Sequence, residues 1–199
     1  MSDILCVTNR NLCEGDFLQR VEQIARGGVK GIILREKDLD ETAYKALASS
    51  VLEICKKYQV PCILHSFVKV AEELCADGLH MPLPLLRKMT EEEKRMFPRL
   101  GASCHSVEEA VEAEQLGCTY LVAGHVFETD CKAGVPGRGL LFLEEVCRKV
   151  KLPVYGIGGI DSGNYRAIKR AGAKGCCIMS GLMRCADVRG YMEEFEYEA

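Results

Sequence analysis

A histidine stands just beyond a predicted strand, at the start of a polar loop. Residues 119–123 form a short apolar run typical of a buried strand, and His125 follows after Gly124, ahead of a loop that reaches Gly137-Arg138-Gly139. Histidine has a pKa near neutral, so an imidazole fixed at this place could give and take protons. A structural histidine that bonds to a loop carbonyl is the alternative, and position alone does not separate the two.

Two glycine-containing turns follow the last two predicted strands and favour a phosphate site. They are Gly156-Ile157-Gly158-Gly159 and Ser180-Gly181. Glycines let the backbone approach an anion, and the N–H groups that open the next helix point toward it. Tight turns alone would explain either segment, but two adjoining turns favour phosphate, and with it a catalytic role for His125. The pattern is not G-x-G-x-x-G, so a nicotinamide cofactor is not implied.

Polar residues also end three other predicted strands. Arg35 and Lys37 follow the second strand, where two cations could bind a carboxylate or phosphate and Glu36 could orient one of them. A solvated charge cluster is the alternative for Lys37. His65 ends the third strand as a substrate-binding or a structural residue. Ser103 ends the fifth, where its hydroxyl could bind a ligand.

The other two histidines are interpreted as structural or peripheral. His80 is followed by Met81-Pro82-Leu83-Pro84, which supplies no acidic partner, so a structural role is favoured. His105 lies next to Ser106, a predicted helix N-cap, which places it at the edge of any site. His65 and His80 have no neighbouring carboxylates, and no Cys/His cluster has zinc spacing, so no metal is expected.

Apolar runs alternate with amphipathic segments along the whole chain. Eight runs have the length of strands, at residues 4–8, 31–35, 62–65, 78–81, 99–103, 120–124, 154–157 and 175–179. Helical patterns lie at residues 15–26, 41–58, 107–116, 140–149, 162–171 and 188–198, with a capping box at Thr90. This order predicts an all-parallel (β/α)8 TIM barrel, one domain over residues 1–199, with its active site at the C-terminal strand ends. An open doubly wound sheet is the alternative.

Composition excludes several classes of function. The chain has 199 residues and a formal net charge of -3, so it has no general attraction for nucleic acid or for anionic membranes. No apolar run is long enough to span a bilayer and the N-terminus lacks a signal-like segment, so a cytoplasmic location is expected. Twelve cysteines are scattered without zinc spacing, and we interpret them as reduced thiols.

The histidine loop and the motifs around it resemble the TenI-type thiazole tautomerases, which belong to the thiamine phosphate synthase superfamily. The resemblance is carried by residues 101–106 (GASCHS), 124–132 (GHVFETDCK) and 137–139 (GRG). It extends through residues 156–159 and 179–181 and the Arg35-Glu36-Lys37 strand end, so it covers nearly the whole chain. The superfamily fold is the same (β/α)8 barrel.

This resemblance implies that His125 is the acid/base residue of a tautomerase in thiamine biosynthesis. The substrate would be a carboxylated thiazole phosphate, which a proton shift converts to its aromatic isomer without metal or organic cofactor. The resemblance assigns the phosphate to Gly159, Ser180 and Gly181. It makes Arg35 and Lys132 candidates for the carboxylate, and Ser103 a candidate for a ring or carboxylate contact. The superfamily is often dimeric, which leaves a homodimer open. The full set of candidate substrate-binding residues is Arg35, Lys37, His65, Ser103, Lys132, Gly159, Ser180 and Gly181.

The true synthases of the superfamily are the first alternative. They join a pyrimidine methyl diphosphate to thiazole phosphate and use magnesium. Their pattern has Asn-Asp where this chain has His65-Ser66, and a further Asp after the fourth strand, where this chain has residues 81–84. Without those carboxylates magnesium has no evident ligands. We therefore predict a tautomerase, with the synthase and a non-catalytic regulator on the same barrel as alternatives.

Overall fold

Eight parallel strands close into a barrel in the computed structural model, which describes residues 3–132 and 134–197. The strands are β1 (Ile4–Val7), β2 (Gly31–Leu34), β3 (Cys62–His65), β4 (Gly78–Pro82), β5 (Leu100–Cys104), β6 (Tyr120–Gly124), β7 (Val154–Ile157) and β8 (Gly175–Ile178). Each strand pairs with the next along the chain, and β8 pairs with β1, so the sheet has no free edge. The predicted (β/α)8 TIM barrel is confirmed, and the open sheet is excluded.

One or two helices on the outside of the barrel follow each strand. They are α1 (Phe17–Arg26), α2 (Glu41–Lys57), α3 (Val68–Glu73), α4 (Leu83–Leu86), α5 (Glu91–Arg95), α6 (Val107–Gln115), α7 (Gly139–Lys149), α8 (Ser162–Arg170), α9 (Ser180–Arg184) and α10 (Val188–Tyr197). The sequence pattern did not predict α3 and α4, because helices of 6 and 4 residues are too short to show a helical period. None of the helices described here is long and apolar enough to cross a membrane. Positions 1, 2, 133, 198 and 199 of the predicted domain lie outside the described residues.

Side-chain caps fix where several of the helices begin. Asp16, Asp40, Ser106 and Asp161 precede α1, α2, α6 and α8, and each accepts a hydrogen bond from a backbone N–H in the first turn of its helix. Thr90 begins the capping box that was predicted for α5. These caps satisfy N–H groups that have no partner within the helix, so each helix starts at a defined residue after its strand.

Alternate strand residues fill the inside of the barrel. Its core consists of Leu5, Val7, Ile33, Ile63, Tyr120, Val122 and Cys177. The ring of Tyr120 lies across β5, because a Cβ at Gly101 would collide with the ring atoms of Tyr120. Glycine at position 101 therefore makes the space in which the Tyr120 side chain packs.

Seven of the twelve cysteines are buried, at positions 6, 55, 62, 104, 118, 176 and 177. Burial raises the pKa of the Cys104, Cys118 and Cys176 thiols to about 12. These thiols therefore stay protonated and pack as small apolar groups. Cys75 and Cys131 are exposed.

Candidate active site

A cavity of about 760 Å³ opens at the C-terminal ends of the strands. It brings together most of the residues predicted for the site, namely Arg35, Lys37, His65, Ser103, His125, Lys132, Gly159 and Ser180. Gly181 is not among the lining residues. A Cβ at Gly181 would collide with the Tyr191 hydroxyl, so glycine is needed there for helix packing.

Three cations line one part of this cavity, and we call Arg35, Lys37 and Lys132 the cationic cluster. Within residues 3–132 and 134–197, none of the three forms an ion pair with a carboxylate. Burial lowers the pKa of Lys37, and the positive charges of Arg35 and Lys132 lower it further. Burial also lowers the pKa of Arg35. The cluster is therefore a concentration of positive charge that a bound anion would relieve.

Glu36 lies within this strand end but does not orient either neighbouring cation. Its carboxylate accepts the Thr8 hydroxyl at 2.7 Å and the Arg10 backbone N–H at 3.0 Å. The Arg10 guanidinium completes the set, with an N–O distance of 3.3 Å. The prediction that Glu36 orients Arg35 or Lys37 is therefore wrong, because its acceptor sites are used by Thr8 and Arg10, which follow β1.

His65 and His80 form an uncharged floor below the cationic cluster. Burial lowers the pKa of His65 to about 2 and that of His80 to about 3, and the positive charge of Arg35 lowers both pKa values further. The two rings stack with centroids 5.8 Å apart, and His65 Nδ1 lies 2.7 Å from Ser66 Oγ. Both imidazoles are thus neutral at physiological pH and bring no charge to a ligand.

His80 belongs to the site, although the sequence favoured a structural role for it. Its Nε2 lies 2.9 Å from Ser103 Oγ, and its Nδ1 lies 2.9 Å from the Tyr120 hydroxyl. His80 and Ser103 both line the cavity. His105 is exposed at the rim, where its Nδ1 bonds to the Gly124 carbonyl at 2.7 Å, as expected for a peripheral residue.

The His125 ring lines the cavity and is only 3% exposed. Its Nε2 donates to the Val135 carbonyl at 3.0 Å, which ties the ring to the returning part of the loop. This is the loop-carbonyl contact of the structural alternative. A carbonyl can only accept, so Nε2 carries a proton, and the buried Nδ1 has no partner among the described residues.

The loops after β6 and β7 are joined by backbone hydrogen bonds. Val126 N–H donates to Ile157 O at 2.8 Å, and Phe127 N–H donates to Gly158 O at 3.0 Å. Gly158 and Gly159 have φ values of +99° and +63°, which favour glycine. A Cβ at either glycine would collide with the loop after β6. The two loops therefore present the Gly158–Gly159 backbone to the cavity in one fixed arrangement.

The carboxylates that line the cavity are Glu109 and Asp130. Glu109 accepts a hydrogen bond from the His105 backbone N–H, and Asp130 is exposed in the loop after β6. Across the described residues, no three His, Cys, Asp or Glu side chains are grouped closely enough to hold a metal ion. The donor set of this cavity is cationic and neutral rather than acidic.

Comparison with known proteins decides the family. The family model described as thiamine monophosphate synthase (TMP-TENI) matches residues 4–182, which is most of the chain. The chain belongs to the thiamine monophosphate synthase family. Its cavity lies at the C-terminal ends of the strands, where enzymes with this barrel fold have their active sites.

Individual relatives support the same assignment to the thiamine monophosphate synthase family. A thiamine-phosphate synthase from Syntrophomonas wolfei is 35% identical over 191 residues, covering 92% of this chain and 90% of that protein. One from Fusobacterium nucleatum is 32% identical over 196 residues, covering 96% and 93%. The solved structure of a thiamine phosphate pyrophosphorylase from Pyrococcus furiosus has a TM-score of 0.85 at 31% identity, covering 98% and 94%. A 3-hexulose-6-phosphate synthase, at 15% identity and a TM-score of 0.71, shares the fold alone.

These comparisons correct the predicted function. Relatives that match the chain at 31% to 36% identity over most of its length are named thiamine-phosphate synthases. The prediction of a thiazole tautomerase is therefore wrong, and the acid/base role assigned to His125 in that reaction falls with it. The broader predictions are confirmed: the chain is a member of the thiamine phosphate synthase superfamily and of an enzyme family.

Proposed function

We propose that this protein is a thiamine-phosphate synthase, a transferase that joins a pyrimidine methyl diphosphate to thiazole phosphate. The names of its relatives support this reaction. The observation that carries the proposal is the cationic cluster, which has no carboxylate partner among the described residues and lines the cavity. Such a cluster suits a ligand with several negative charges.

The diphosphate is placed against the cationic cluster. The half-buried Arg35 can bind two oxygens at once, and Lys37 and Lys132 act from the rim as point charges. The thiazole nitrogen attacks the methylene carbon of the pyrimidine with its lone pair. The carbon–oxygen bond to the diphosphate breaks, and its electron pair leaves on the diphosphate. The cations stabilise the negative charge that develops on that oxygen.

The phosphate of the thiazole is placed on the other side of the cavity, beside β7 and β8. Gly159 and Ser180 line this part, and the left-handed backbone at Gly158 and Gly159 brings main-chain groups close to a ligand. Gly181 is not part of this proposal because it packs against Tyr191. The neutral His65 and His80 floor lies close to the cationic cluster and suits the uncharged heterocycles.

Magnesium, which the synthase resemblance implies, does not fit the residues present. The ion prefers carboxylate oxygens, and Glu109 and Asp130 are the carboxylates that line the cavity. Glu109 is already bound to a backbone N–H, and Asp130 lies exposed on a loop. No step of the proposed reaction passes through a metal ion. Neutralisation of the diphosphate is assigned to the cationic cluster.

The test is direct synthesis by the purified protein. Both substrates are supplied, and thiamine phosphate and released diphosphate are measured over time, with equal amounts of the two products expected. Lys132→Met should lower turnover about tenfold or more, because a charge-assisted contact contributes about 1.5–3 kcal/mol. The control is Lys151→Met, an exposed lysine before β7 at the opposite end of the barrel. Tight binding of either substrate without product would contradict the proposal and favour the regulator.

A further inference from the structure

Three polar side chains on neighbouring strands are linked by hydrogen bonds from the barrel interior to the cavity. The Tyr120 hydroxyl on β6 lies 2.9 Å from His80 Nδ1 on β4, and His80 Nε2 lies 2.9 Å from Ser103 Oγ on β5. The strand register brings them together, since His80 pairs with Gly101 and Gly101 pairs with Tyr120. We call Tyr120, His80 and Ser103 the relay.

The protons of the relay can be placed from the partners of each group. The Tyr120 hydroxyl is buried, and burial raises its pKa well above the ordinary value, so it keeps its proton. Among the described residues its hydrogen-bonding partner is His80 Nδ1. A buried hydroxyl needs an acceptor for its proton, so Tyr120 donates to Nδ1. His80 Nδ1 therefore carries no proton.

The absence of a proton on His80 Nδ1 determines the direction of the other hydrogen bond in the relay. Burial lowers the pKa of His80 to about 3, so the ring is neutral and carries one proton, which must lie on Nε2. Nε2 then donates to Ser103 Oγ. The Ser103 hydroxyl proton has no acceptor among the described residues, and the half-buried side chain lines the cavity. Ser103 is left as a donor toward the cavity.

We propose that Tyr120 and His80 are positioning residues that hold Ser103 as a hydrogen-bond donor to an acceptor atom of the bound substrate. The Ser103 proton then favours a substrate group that presents a lone pair at this point. Such a group gives the Ser103 hydroxyl proton the acceptor that it lacks among the described residues. The identity of the substrate rests on the proposed function, but the placement of the protons does not.

The first experiment reads the His80 tautomer directly. The whole protein is labelled with nitrogen-15, and long-range nitrogen–proton spectra are recorded at neutral pH without ligand. His80 should be neutral with its proton on Nε2, and Tyr120→Phe should remove that preference. Tyr155→Phe is the matched control, because Tyr155 loses an equal hydroxyl in the same interior cluster but lies outside the relay. A proton on His80 Nδ1 would overturn the proposal. This spectrum needs no turnover, so it stands apart from the synthase assay.

The second experiment is a double-mutant cycle on the KM values for the two substrates. Ser103→Ala and Tyr120→Phe should each raise one KM about 3- to 10-fold, the range expected for a lost neutral hydrogen bond, with Ser103→Thr close to wild type. In the Ser103→Ala background, Tyr120→Phe should cause no further change, because its effect passes through Ser103. Fully additive effects would show that Tyr120 acts on stability alone, and would contradict the proposal.

Discussion

The Glu36 carboxylate accepts the Thr8 hydroxyl at 2.7 Å, although Glu36 stands next to Arg35 in the sequence. Thr8 Oγ1 in turn accepts the Arg35 backbone N–H at 2.9 Å. Thr8 and Glu36 thus hold the main chain of Arg35, and the Glu36 carboxylate binds Thr8 rather than the Arg35 guanidinium. The guanidinium of Arg35 is left to face the cavity without a carboxylate partner among the described residues.

Arg35 should dominate the affinity for diphosphate. Arg35→Met is expected to weaken the binding of inorganic pyrophosphate about 10- to 100-fold, because a charge-assisted and two-pronged contact is lost. Arg35→Lys should restore only part of it, since an ammonium cannot bind two oxygens in the same plane. Calorimetric titration measures the affinity, with the exposed Arg95→Met on α5 as control. Equal affinities for Arg35→Met and wild type would remove Arg35 from the diphosphate site.

Synthesis should not depend on added divalent metal. The cavity offers Glu109 and Asp130 but no cluster of acidic ligands in the described residues, so the charge of the diphosphate is met by side-chain cations. Turnover in excess chelator should stay within about twofold of turnover with magnesium, because none of the assigned interactions is removed. Strict dependence on magnesium would show that an ion bound mainly through the substrate replaces part of the cationic cluster.

Stability should fall as the solution is acidified below the ordinary pKa of histidine. His65 and His80 have pKa values of about 2 and about 3 in the folded protein, against about 6.5 in the unfolded chain. Between these values the unfolded chain binds more protons, so the free energy of unfolding decreases as the pH falls. Each histidine contributes at most about 1.4 kcal/mol per pH unit. Urea denaturation at about pH 7, 6 and 5 measures the slope.

The matched variant for this pH effect is His80→Gln, which removes one of the two titrating groups. Its slope of unfolding free energy against pH should be shallower than that of the wild type by up to one proton. An unchanged slope would mean that His80 does not resist protonation in the folded state.

Gly101→Ala should destabilise the barrel. Its new methyl group would collide with the Tyr120 ring, and overpacking of a full core costs about 1–3 kcal/mol. Thermal or urea denaturation measures the loss. Gly163→Ala in α8 is the control, because the added Cβ has only an ordinary contact and alanine favours a helix. If Gly101→Ala were as stable as wild type, the Tyr120 ring would have to lie elsewhere.

Local sequence pattern was enough to predict the barrel. Each strand is a short apolar run, and each observed strand ends within about one residue of its predicted end. Caps such as Asp40 and Thr90 mark the helix starts in the sequence itself. The polar residues after the strands also lie around one cavity, as the rule for C-terminal strand ends predicts.

Contacts between distant strands could not be predicted in the same way. His80 was interpreted as structural because its sequence neighbours offer no partner, but Ser103 and Tyr120 lie 23 and 40 residues further along the chain. Glu36 was assigned to the adjacent cations, whereas Thr8 lies 28 residues earlier. In both cases closure of the barrel, not local order, determines which groups meet.

The functional error has a different origin. The resemblance covered nearly the whole chain, but the choice of tautomerase over synthase relied on the loop around His125 and on carboxylates missing at residues 65–66 and 81–84. Similarity to named synthases also extends over nearly the entire chain. In the structure the His125 ring also stabilises its own loop, because its Nε2 donates to the Val135 carbonyl. A side chain at a strand end can therefore serve the loop as well as the ligand.

The exposed cysteines lie at opposite poles of the barrel. Cys131 lines the cavity, whereas Cys75 lies in the turn before β4, at the N-terminal ends of the strands. Thiols buried in the wall stay protonated and are shielded from reagents. A fluorescent label on Cys131 would thus report whether a ligand fills the cavity. A label on Cys75 would serve as an internal reference, because the ligand does not reach that end of the barrel.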